Sequence, residues 1–142
     1  MRRLLWSVFL CAAVLQSDVA LTAKNAEPLL PSLVQLIATP EKYDGKLVTV
    51  VGFLVIEHEG DSLYLHREDY ENALLPNSIW VDTTKEMGKN KQSLSLKYVK
   101  ITGTFKAGGD GLQQFIAGGL TKITSVEIWS DPAHPNALRN GR

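Results

Sequence analysis

The sequence predicts a small, mainly β domain in which five strands close into a barrel behind a short N-terminal helical lead-in. Three observations predict it. Two β-branched stretches, Val48-Thr-Val-Val-Gly52 and Val99-Lys-Ile-Thr-Gly103, each carry a glycine inside a strand pattern, where a strand bends or another backbone passes close. Runs of apolar alternation recur between turn-forming Gly, Asp, Asn and Pro residues. The chain has 142 residues, 44% of them hydrophobic, which suits one domain with a packed core.

The first 23 residues read as an address rather than as part of that domain. Arg2 and Arg3 precede an apolar run from Leu4 to Leu15, the pattern of a secretory signal peptide. The run is shorter than the roughly 20 residues that a membrane-spanning helix needs. Cleavage is expected near Ala23, with Ser17 as the alternative. Cys11 is the only cysteine and follows Phe9 and Leu10, where a lipid-modified cysteine requires small residues. Export therefore leaves a mature chain free of cysteine and suited to an oxidising compartment. Loss of Arg2, Arg3 and Asp18 leaves 13 basic and 14 acidic residues. The expected location is the periplasm or the exterior, with no transmembrane span in the mature chain.

Residues 24–31, with Pro28 and Pro31, read as a linker to a domain over 32–130. Ser32 followed three residues on by Gln35 forms a capping box, and Leu33, Leu36 and Ile37 share one helical face. Pro40 stops that helix and starts a second turn, capped by Thr39 and ended at Asp44-Gly45. The first strand, Lys46 to Ile56, is apolar on both alternating sets, so it is buried on two sides or bends between them. A hairpin turn at Glu59-Gly60-Asp61 leads to a second strand, Ser62 to His66, with Leu63 and Leu65 opposite Tyr64 and His66.

Residues 67–74 predict a one- to two-turn helix, broken by Pro76-Asn77. The third strand, Ser78 to Asp82, sets Ile79 and Val81 against Trp80. Thr83 to Ser93 is polar and reads as either a loop or a frayed helix. The fourth strand, Tyr98 to Ala107, points Val99, Ile101, Gly103 and Phe105 inward. Gly108 to Gly111 is a turn, and residues 112–117 form a short strand or hairpin arm. The last strand, Leu120 to Trp129, changes phase between Ile123 and Val126, which places a bulge near Thr124-Ser125. Residues 131–142 read as a disordered tail.

The order of strands and the two internal glycines resemble an OB-fold, the five-stranded barrel whose second and third strands commonly carry the ligand face. Three stretches, Ser32 to Lys46, Leu63 to Tyr70 and Gly119 to Trp129, are similar to a family of uncharacterised exported bacterial proteins with an OB-like domain. That resemblance implies no catalytic residues. It departs from the usual order in one respect. The segment between the third and fourth strands, normally a helix, is polar and poorly patterned, so the lead-in at 32–44 is expected to cover the open barrel end instead.

On the second and third strands the outward set is Tyr64, His66 and Trp80, with Asp82 beside them. Two aromatic rings and an imidazole suit a small molecule, a glycan or a segment of an envelope protein. The competing reading is that Tyr64 and Trp80 stabilise the sheet as a cross-strand pair or lie beneath residues 67–74. The charged run His66-Arg-Glu-Asp69 suits a helix start as well as an ion site. Glu57-His58-Glu59-Gly60-Asp61 holds metal-ligating types, but a hairpin tip splays them.

No G-x-S-x-G, H-E-x-x-H or phosphate-binding glycine loop occurs. The expected function is therefore a non-catalytic binding or interaction module of the bacterial cell envelope, without a catalytic residue, metal or cofactor. The alternatives are a hydrolase-like or metal-dependent enzyme using His66 with Glu68, Asp69 and Asp82, and a single-stranded nucleic-acid binder. Charge balance argues against the latter, since Lys97, Lys100, Lys106 and Lys122 make at most a mild basic patch. Intact mass of the protein recovered from an expressing bacterium is expected to correspond to a chain beginning near Lys24. Retention of Met1 contradicts the export reading.

Overall fold

The structure, a computed structural model, describes residues 27–57, 60–108 and 115–130. The signal peptide, the C-terminal tail and most of the Gly108–Ile116 connection fall outside them. Five strands form a closed barrel in the order β1-β2-β3-β5-β4, with β4 returning to β1. They are β1 (Leu47–Val55), β2 (Ser62–Tyr64), β3 (Ser78–Val81), β4 (Lys97–Ala107) and β5 (Gly118–Ser130). All neighbours pair antiparallel except β3 and β5, whose short parallel contact closes the cylinder. The architecture is that of a small OB-like barrel.

The core follows from the alternation in the sequence. Val48, Val50 and Leu54 of β1 meet Leu63, Ile79 and Val81 from the short strands and Val99, Ile101 and Phe105 from β4, all buried. The outer set of β1 is also covered in its second half: Phe53 and Val55 lie beneath Tyr64, Tyr70 and Tyr98. A strand with two buried faces reads in sequence as a continuous apolar run, as this one does.

The lead-in forms as its residues dictate. Helix α1 (Leu33–Ala38) starts at Ser32, whose hydroxyl accepts the Gln35 N–H at 3.2 Å while Gln35 Oε1 accepts the Ser32 N–H at 2.8 Å. The 3-10 turn Pro40–Tyr43 follows. Leu33, Leu36 and Tyr43 enter the barrel core. Part of the stretch read as a linker is attached too. Leu29 bridges β1 in parallel beside Val48, donating to Leu47 O and accepting from the Thr49 N–H at 3.0 and 2.7 Å. Those bonds occupy the β1 edge that the short β2 leaves unpaired, and Pro31 is buried.

Helix α2 (Arg67–Glu71) follows β2, and the 3-10 turn Leu75–Asn77 leads into β3. The polar segment after β3 resolves into two short helices, α3 (Lys85–Lys89) and α4 (Lys91–Leu94). Thr84 caps the first, its Oγ1 accepting the Met87 N–H at 3.2 Å. Only Met87 and Leu94 are buried there, which is too few apolar positions to mark a helix in the sequence. They nevertheless join the core beside the α1 residues, so the usual helical position of an OB barrel is filled as well as the lead-in.

One detail corrects the sequence reading and another extends it. Strand β2 ends at Tyr64, so His66 is not on its outer face: it is the residue that caps α2. The bulge expected near Thr124-Ser125 is present and extends back to Lys122. Thr102 opposes Ser125 and Thr104 opposes Thr121, so Lys122, Ile123 and Thr124 all stand against Gly103 alone. Lys122 takes a left-handed φ of 49°. A side chain at Gly103 would sit 2.8 Å from Ile123 Cδ1 and 2.9 Å from Thr121 O. A second irregularity sets Tyr98 against Ser130 and Val99 against Ile128, leaving Trp129 as the extra residue.

Closure depends on Gly119, which faces Trp80. A Cβ there would lie 2.9 Å from Trp80 Cε3 and 3.0 Å from Trp80 O. Gly119→Ala is expected to destabilise the domain by about 1–3 kcal/mol by forcing β3 and β5 apart. Gly88→Ala, in α3 with open space at its Cβ, is expected to gain about 0.5–1 kcal/mol from helix propensity. Chemical denaturation of the two variants checks the contrast.

Candidate functional site

The four side chains singled out on the second and third strands are not gathered at one place. Tyr64 is 7% exposed and sits in a row across the sheet, opposite Phe53, which is itself opposite Tyr98. Its ring meets Tyr70 edge-on at 5.6 Å, and Phe53 meets Tyr98 at 5.4 Å. Tyr70, carried on α2, thus covers the row. Trp80 is partly buried over Gly119. Tyr64 lies opposite Ser78, and Trp80 opposite Ser62, so the two aromatics are diagonal neighbours rather than a facing pair. Asp82 is exposed past the end of β3, its N–H donating to Leu120 O at 2.8 Å.

His66 goes elsewhere, and Asp69 decides where. The Asp69 carboxylate is buried. One oxygen accepts the His66 backbone N–H at 2.8 Å and the other accepts Asn77 Nδ2–H at 2.7 Å. A buried carboxylate needs such donors, and here they lock the turn between β2 and α2. Leu65 N–H donates to Asn77 O at 2.9 Å and reinforces the same corner. Asp69 is thereby a structural acceptor. Asp61 acts alike at the first hairpin, accepting the Glu57 N–H at 2.9 Å and the Thr83 hydroxyl. Among the described residues no three His, Cys, Asp or Glu side chains gather as a metal-binding set.

The corner sets Leu65 and His66 in the lining of an open groove of about 790 Å³. Its floor is the outer face of β1 and β4, where Thr49, Val51, Tyr98 and Lys100 point away from the core. Leu30 and Pro31, held by the Leu29 bridge, form one wall, and Trp129 belongs to the same groove. Leu30 is 78% exposed and Trp129 is 47% exposed. The lining is mainly apolar, of a size that suits a small-molecule ligand. Of the four predicted residues only His66 belongs to it. Val51 was visible in sequence as an apolar residue on the second face of β1. Trp129 had one signal, its place beyond the phase change in the last strand.

Two basic residue types, His66 and Lys100, line the groove. Lys100 Nζ pairs with Glu127 at 2.8 Å across β4 and β5. Both side chains are solvated, so the pair orients the lysine more than it stabilises the fold. Its partner charge also removes Lys100 from any basic patch with Lys97, Lys106 and Lys122. Beside the groove, the Arg67 guanidinium lies 5.4 Å from the Phe53 ring centre, and the Arg67 N–H donates to the Tyr98 hydroxyl at 3.3 Å. The Tyr70 hydroxyl donates to Glu57 Oε1 at 2.8 Å.

Comparison of the chain with protein families and with curated proteins finds no match in either.

The aromatic row makes a pH prediction. The hydrogen bond to Glu57, then burial, raises the Tyr70 pKa above its ordinary 10.0. Burial, then the Glu57 charge, raises that of Tyr64. The folded state thus holds phenol protons that the unfolded chain releases. This stabilisation is complete below pH 10 and is lost as pH rises through the folded values. Denaturation midpoints are expected to fall from about pH 10 upward, with a shallower slope in Tyr70→Phe.

Proposed function

We propose that the chain is a non-catalytic binding module of the bacterial cell envelope, exported by its N-terminal segment, and that it takes its ligand in the groove between Leu30 and Trp129. The observation that carries this reading is the exposed apolar lining on a rigid sheet. Large apolar side chains left in solvent around a concavity mark a contact surface. Each wall is held by backbone bonds or a bulge rather than by a free loop: Leu29 to β1, His66 to Asp69, Trp129 at the end of β5. Such a site offers a pre-organised surface, and its ordering cost on binding is small.

Export rests on Arg2, Arg3 and the apolar run to Leu15. Among the described residues no helix is long and apolar enough to cross a membrane. The ligand contacts proposed are His66 and Lys100 with Trp129, while Tyr64 and Trp80 serve the packing of the sheet. For the enzymatic alternative, the Asp69 carboxylate is already committed to the His66 backbone and Asn77.

A screen of small molecules and envelope extracts against the protein, its Trp129→Ala variant and its Trp80→Phe variant tests the assignment. Trp129→Ala is expected to weaken any ligand found by about tenfold, from the lost aromatic contact. Trp80→Phe keeps a ring over Gly119 and is expected to bind as the parent does. Loss of binding in Trp80→Phe with Trp129→Ala unaffected would return the site to β2 and β3.

A further inference from the structure

We draw no further inference here: the strongest candidate, the apolar groove on the outer face of β1 and β4 between Leu30 and Trp129, belongs to the site already described, and nothing in the structure shows what covers it.

Discussion

The barrel exists because two backbones come together where a side chain would keep them apart. Strands β3 and β5 share only the pairs Trp80–Gly119 and Val81–Leu120, yet this contact turns an open sheet into a cylinder. Closure removes most sheet edges, and it brings Leu120 against Phe105 and Val81 in one core. The same constraint recurs at Gly103, over which the bulge of β5 passes, and at Gly52, whose missing Cβ makes room for Leu63 Cγ and Tyr64 O. In each case the absence of a side chain permits close crossing.

Closure also explains why the two faces of β1 are both buried. The inner set fills the cylinder. The outer set needs a second cover, supplied by the aromatic row and by Tyr70 from α2. What remains uncovered is the middle of the outer face, at Thr49 and Val51, and that gap is the groove. Its walls are by-products of edge protection. Leu29 bonds to the β1 edge that β2 is too short to reach, and so delivers Leu30 and Pro31 alongside. The terminal irregularity of β5 leaves Trp129 as an extra residue among the same side chains. A binding surface thus arises where the packing of the barrel stops.

Much of the fold was legible because its signals are local. The Ser32–Gln35 capping box, the stop at Pro40 and the alternation of Val99, Ile101 and Phe105 depend on neighbours in the chain. The ligand face was less legible. Reading Tyr64 and His66 as one outward pair assumed that the strand continued to His66. Asp69, three residues further on, instead takes the His66 N–H and starts a helix. Likewise Trp80 looked available because β3 alternates cleanly, and its contact with Gly119 comes from the far end of the chain. Long-range contacts of this kind leave no pattern in a short window of sequence.

By itself, then, the amino-acid order determined a mainly β domain, the capped lead-in and the positions where strands must bend, because hydrophobic period, caps and glycine act over a few residues. Tertiary structure alone decided which aromatic rings are buried, how far the bulge of β5 extends and which side chains share the groove. Those outcomes depend on register between strands that are not neighbours in a short window, from Thr104 against Thr121 to Thr49 against Thr102. One step of slippage there exchanges the inner and outer faces, and only the closed barrel forbids it.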